Sequence, residues 1–205
     1  MVVAGDRANQ LLDCALDAFL EVGYAPVGVK EITTRAGVSH GTFYNYFENK
    51  RQLLSVLVER EMADFFAVLT RVEAGLQNGC VEQTLRQAVF EANREMLTLV
   101  DDRAEVLSFI IIDVPGIDQS ALDGHLAMFR EASRRASAAL QIAVDSGVAD
   151  PDLHTDFAGQ AWISYLLGVS APAIADGAGL SDLDAVADAL TVLLLDGLPA
   201  IGVFE

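Results

Sequence analysis

Basic residues are scarce in this chain. Against thirty Asp and Glu it carries thirteen Lys and Arg over 205 residues, a formal net charge of −17, and lysine occurs only as Lys30 and Lys50. Spread evenly, such charge would exclude a nucleic-acid surface, because phosphate is repelled. The spread is uneven, however. Residues 1–51 hold Arg7, Lys30, Arg35, Lys50 and Arg51 against six acids, a net of −1, which leaves −16 and no lysine for the rest. Any contact with a polynucleotide is therefore confined to the N-terminal segment. Cysteine is equally sparse: Cys14 and Cys80 alone, with no Arg-flanked hydrophobic leader, exclude a disulfide scaffold and point to the cytoplasm. Cys14 reads as an inert packing thiol. Strand-like alternation, internal repeats and low-complexity runs are missing too, so the expected fold class is all-α. Charge is absent from Phe157 to Ala175, yet Gln160, Ser164, Ser170, Pro172 and two glycines interrupt that run and no basic cluster flanks it, which argues against a membrane span.

What is present is a high hydrophobic fraction, 52%. In so acidic a chain this requires extensive burial, including a subunit interface or an apolar cavity. The most informative stretch is Val27 to Lys50, VGVKEITTRAGVSHGTFYNYFENK. It predicts two short helices around a glycine turn, followed at once by a longer helix. In the first, from Gly28 to Arg35, Val29 and Ile32 turn inward while Lys30, Thr34 and Arg35 face out. Ala36 and Gly37 make the turn, Gly37 in the left-handed region that ends a helix, and Ser39 caps the next helix through its hydroxyl. From His40 onward, Phe43 and Phe47 share one face and leave His40, Thr42, Tyr44, Asn45 and Tyr46 on others. Those exposed types suit the edge of a nucleic acid.

The run AGVSHGTFYNYF, preceded by Leu11, Leu12, Ala15, Phe19, Gly23 and Tyr24 and followed by Lys50, resembles the DNA-binding head of the tetracycline-repressor (TetR) family of bacterial regulators. The likeness covers roughly the first fifty residues. It implies an N-terminal three-helix DNA-binding head with a helix-turn-helix at residues 1–50 and a helical effector-binding and dimerisation body at residues 51–205. It also implies that Thr42, Tyr44, Asn45, Tyr46 and Lys50 touch bases or phosphates. Physical reasons run beside it: Lys50 supplies a point charge for phosphate, the tyrosines offer hydroxyls and rings, and Asn45 can bond adenine. Gly28, Ser39 and His40 complete the candidate DNA-binding set, Gly28 through backbone amides at a helix start. Two departures stand out. Val27 and Gly28 lack the hydroxyl that many members carry there, and the head is poor in positive charge, with no base in the arm Met1 to Asp6. Weak non-specific binding and a modest salt slope are expected, because few phosphates are neutralised.

Along the chain, helix one is predicted from Arg7 to Val22 with Leu11, Leu12, Ala15, Leu16, Phe19 and Val22 inward. Asn49 can cap a fourth helix from Lys50 to about Leu76, and a fifth spans about Val81 to Val100. Ala104 to Val114 reads as a buried helix, apolar nearly all round and stopped by Pro115-Gly116. A helix from about Gln119 to Ser146 turns Leu122, Leu126 and Phe129 inward and Arg130, Arg134 and Arg135 to water. The last two, Asp152 to about Ala175 and Ser181 to about Leu198, are apolar on more than one face. A partner chain is their natural lid, in keeping with the homodimer interface that the resemblance places on the last two helices.

The resemblance further implies a body cavity for a small-molecule effector. Candidate lining residues are Phe66, Met96, Phe109, Met128, Phe129, Trp162 and Tyr165, although plain core or interface is the better explanation for any one of them. Asp150, Asp152, His154 and Asp156 alternate suggestively but lack the glycine and the distal Glu of a calcium loop, so no metal is expected and Asp152 reads as a helix cap. No triad, phosphate loop or HExxH is present, so neither an enzyme nor a cofactor is expected. The resulting expectation is a dimeric regulator, in the repressor sense, that binds a palindromic double-stranded operator and is released by an apolar small molecule. The alternative is a helical small-molecule carrier that has lost DNA binding.

Overall fold

The computed structural model describes residues 6–177 and 179–197. The arm before helix one, apart from Asp6, and the expected end of the last helix at Leu198 lie outside these residues. Among the described residues every regular element is helical: α1 (Asp6–Val22), α2 (Val29–Arg35), α3 (His40–Tyr44), α4 (Lys50–Gln77), α5 (Glu82–Asp102), α6 (Ala104–Ser108), α7 (Gln119–Asp145), α8 (Thr155–Asp176) and α9 (Leu183–Leu195). The all-α expectation therefore holds. By contacts the chain forms two compact units. The first comprises Met1–Ala63 and Glu105–His125, the second Asp64–Ala104 and Leu126–Glu205.

In the first unit, α1 buries Ala8, Leu11, Leu12, Ala15, Ala18 and Phe19, the residues its helical period places on one side. Val22, expected inward, is 52% exposed, because it is the last residue of the helix and Gly23 turns the chain away with φ +80°. Gln10 donates from Nε2 to Ala36 O at 2.9 Å, tying α1 to the turn after α2. Arg60 on α4 pairs with Asp13 on α1 at 2.7 Å, and Phe19 stacks on Phe109 with ring centroids 5.8 Å apart.

The segment from Ala104 is not the single α-helix expected. After one turn of α6 the backbone widens to a π-helical turn over Phe109–Asp113 and then tightens to a 3₁₀ turn over Val114–Gly116. A π turn rotates the later side chains relative to an α-helix. Leu107, Phe109, Ile110 and Val114 are buried, whereas Ile112 is 52% exposed.

The second unit has a core built from α4, α5, α7, α8 and α9, including Leu69, Leu85, Val89, Met96, Leu97 and Trp162. Two boundaries differ from expectation. Helix α8 starts at Thr155 with His154 at the cap position, not Asp152, whose backbone N–H instead donates to Asp150 Oδ1 in a local turn. Helix α9 is capped by Asp182 with φ +50°, its Oδ1 accepting from Ala185 N at 3.1 Å. Leu126, expected inward on α7, is 40% exposed. Pro172 lies inside α8, which continues to Asp176. Gly159 allows the close approach of α7 and α8, since a Cβ there would meet Ser137 N at 2.5 Å and Ser133 O at 2.8 Å.

Candidate functional site

The helix-turn-helix is assembled by local chemistry. Gly28 holds an extended cap conformation and accepts from the amides of Glu31 and Ile32 through its carbonyl. At the other end Val38 N donates to Thr33 O at 3.0 Å across Gly37, whose φ of +62° only glycine adopts without cost. Ser39 then caps α3, with Oγ accepting from Thr42 N at 3.1 Å. Phe43 and Phe47 are buried with ring centroids 5.6 Å apart, and Ile32 is buried with them in the head.

The candidate DNA-binding residues fall into three groups. Gly28, Ser39, His40, Tyr44 and Asn45 are exposed, and Tyr44 shows 54% of its surface. His40 meets Tyr44 edge-on at 5.4 Å, and Ser39 and Thr42 share a hydroxyl hydrogen bond of 2.8 Å. Thr42 and Tyr46 are half-buried. Lys50 differs from the rest. Its Nζ donates to Tyr24 O at 2.8 Å and to Val27 O at 2.7 Å, and lies 3.9 Å from the centre of the Tyr24 ring. Burial holds the ammonium below its usual pKa. An ammonium has three donors, so one remains for phosphate, but the residue first fastens the α1–α2 loop to α4.

Acids engage two of the other head cations. Arg35 donates to Glu21 at 2.8 Å and to Glu31 at 2.9 Å, which raises its pKa further, and Arg51 pairs with Asp118 at 3.1 Å. Among the described residues Lys30 has no such side-chain partner. Burial pushes the Cys14 thiol up, away from the thiolate that nucleophilic chemistry would need.

The seven candidate lining residues fall in both units. Phe109 belongs to the first unit, stacked on Phe19. In the second, Phe66 lies half-buried under the Arg135 guanidinium at 5.2 Å, Met128 and Phe129 are half-buried on α7, and Tyr165 is 42% exposed on α8. Met96 and Trp162 both belong to the buried core. There Trp162 Nε1 donates to Asn93 Oδ1 at 2.7 Å, Asn93 Nδ2 donates to Thr191 Oγ1 at 3.1 Å, and Thr191 Oγ1 donates to Ala187 O. Asn93 and Thr191 escaped the sequence reading. The available signal was a pair of polar residues inside the apolar periods of α5 and α9. Among the described residues no group of three or more His, Cys, Asp or Glu could hold a metal ion, and no helix is long and apolar enough to cross a membrane.

A Ser-capped second helix presenting polar and aromatic side chains after a glycine turn defines the class of helix-turn-helix DNA-binding regulators. Residues 11–57 match the model of bacterial regulatory proteins of the tetR family, so the N-terminal segment is similar to the DNA-binding head of that family. It is 39% identical over 90 residues to the HTH-type transcriptional regulator BetI of Escherichia coli, covering 42% of this chain and 44% of that protein. The chain thus matches less than half the length of this curated relative. SmeT, the repressor of the Stenotrophomonas maltophilia multidrug efflux pump SmeDEF, superposes with a TM-score of 0.73 at 25% identity, over 100% of this chain and 95% of that one. FadR of Bacillus subtilis, solved with stearoyl-CoA, gives a TM-score of 0.75 at 19% identity, over 93% and 99%. SmeT is also known as a complex with triclosan. Regulators of this family bind DNA and small-molecule ligands and act as dimers.

Proposed function

We propose that the chain is a homodimeric, ligand-responsive transcriptional repressor acting in the cytoplasm, which binds a palindromic operator through α3 of each protomer and is released by an apolar small molecule. The observation that carries this reading is the Ser39-capped α3 with His40, Tyr44 and Asn45 exposed beside it. Gly28, Thr42, Tyr46 and Lys50 would complete the contact set, and two-fold symmetry of the dimer would require paired half-sites. Helix α8 supports the dimer: Phe157, Tyr165 and Val169 are exposed on a stretch that holds no charge between Asp156 and Asp176. We place the interface on α8 and α9. Structural relatives solved with triclosan and with stearoyl-CoA, whose acyl chain is apolar, support an effector with a large apolar part. Phe66, Met96, Met128, Phe129, Trp162 and Tyr165, all in the second unit, are the residues proposed to respond to it, by shifting the population between DNA-binding and non-binding states.

One observation favours the second reading, a small-molecule carrier. Arg35 and Arg51 are both held by acids, which lowers the positive charge that the head can offer to phosphate. A gel shift on the chain's own upstream intergenic DNA, at low and moderate salt with competitor, decides between the two. A shift confined to a short palindrome is the expected result. No shift at any salt would favour the carrier.

A further inference from the structure

We propose that a cleft in the second unit binds a small organic amine, a primary or secondary ammonium group carried on a compact apolar body. The cleft measures about 290 Å³ and lies between the start of α5, the turn after α7, the start of α8 and the end of α9. None of the seven lining candidates read from the sequence borders it. Its walls are apolar, chiefly Leu85, Leu140, Leu153, Ala158, Leu194 and Leu195. Leu153 is 38% exposed at the opening.

The charges around these walls decide the class of ligand. Glu82, Arg86, Asp150 and Asp196 border the cleft. Arg86 Nη2 donates to Asp196 Oδ1 at 2.6 Å, so these two cancel. Glu82 and Asp150 remain, and the lining carries a net of two negative charges. Asp150 uses one oxygen to accept from Asp152 N, which leaves the other for a ligand. An apolar wall beside two carboxylates attracts a cation and disfavours an anion of the same shape. The absence of aromatic rings from the lining refines the choice. Quaternary ammonium groups are held by aromatic faces, whereas an N–H-bearing ammonium is held by carboxylate oxygens. At the small end of ligand cavities, the volume suits a compact body and excludes a long acyl chain.

This site stands on the second unit alone and is measured without DNA, so it succeeds or fails independently of the regulator reading. The test is calorimetric titration of the full chain with cyclohexylmethylamine, and with cyclohexylmethanol as its neutral counterpart. Saturable binding of the amine in the millimolar range or tighter is expected. The alcohol should bind roughly three- to tenfold more weakly, the scale on which two exposed charge contacts act. The double variant Glu82→Gln/Asp150→Asn should lose the same factor and keep the wild-type urea midpoint. Ala158→Leu, which fills the cleft, should abolish the heat while the chain still melts cooperatively. Equal affinity for amine and alcohol, an unaffected double variant, undiminished binding to a folded Ala158→Leu chain, or no saturable binding of the amine would each overturn the proposal.

Discussion

The indole N–H of Trp162 donates to Asn93 Oδ1 at 2.7 Å, in a place where both side chains are buried. With Asn93 Nδ2 donating onward to Thr191, three helices share one polar chain inside an apolar core. Each bond adds modestly to stability, but a stranded partner costs more, because a buried donor without an acceptor retains its full desolvation penalty. Asn93→Leu should therefore destabilise the chain by about 1–3 kcal/mol, as should Trp162→Phe. The double variant should cost less than the sum, since it leaves neither partner stranded. Urea denaturation of the three variants measures this coupling, and strict additivity would show that the bond contributes nothing.

Gly159 and Gly75 should respond to alanine with opposite signs. At Gly159 the new methyl meets backbone atoms of Ser133 and Ser137, which cannot rotate aside. Overpacking of this kind costs about 1–3 kcal/mol. At Gly75, inside α4, nothing lies within 4 Å, so Gly75→Ala should stabilise by about 0.5–1 kcal/mol through helix propensity. Thermal melting of the two variants checks both signs.

Glu131 gathers Arg134 and Arg135, accepting from Arg134 Nε at 2.8 Å and from Arg135 Nε at 2.7 Å. These guanidinium groups hold its pKa down at about 2. A carboxylate with a lowered folded pKa contributes stability above its unfolded value, and loses it as pH falls through the interval down to the folded value. The advantage of wild type over Glu131→Gln should thus be full at pH 7 and shrink between about pH 4.5 and pH 2. Because Glu131 is 37% and Arg134 66% exposed, solvent keeps it below about 1 kcal/mol. Urea midpoints at pH 7 and pH 3 test the trend, and an advantage that grew towards acid would contradict it.

The head cations should differ in their weight on DNA. Lys30→Gln should lower the slope of log affinity against log salt by about one, as expected for a single phosphate contact. Arg35→Gln should leave the slope nearly unchanged, because Glu21 and Glu31 already hold the guanidinium. Tyr44→Ala should weaken specific binding by about 1–3 kcal/mol without changing the oligomeric state. Fluorescence anisotropy across a salt series reports all three, and a steep wild-type slope would contradict the picture of a charge-poor head.

On α8, Val169→Glu places a charge on the exposed stretch that lacks one. Dimer dissociation should strengthen at least tenfold, about 1.4 kcal/mol, in sedimentation equilibrium. An unaltered dimer would move the interface off this face.

The sequence alone determined those parts of the head that depend on neighbours within four or five residues. Gly37 in the left-handed region, Ser39 and Asn49 as caps, and the Phe43–Phe47 pair are readable because their partners lie within one helical turn. The same holds for the long helices, whose apolar residues recur with the period of the backbone. Only the tertiary structure decided the rest, since it depends on groups far apart in the chain. Lys50 turned back to carbonyls 23 and 26 residues earlier, and no local pattern announces such a bond. The chain of Asn93, Trp162 and Thr191 and the pairing of Arg86 with Asp196, 110 residues apart, are of the same kind. Residues 104–116 are instructive in another way. Their composition speaks for a buried α-helix, yet a π turn and a 3₁₀ turn interrupt it and aim Ile112 outward. Hydrophobic period reports that a segment is helical and apolar. Which side chain is turned inward is set by the surfaces that the helix must meet.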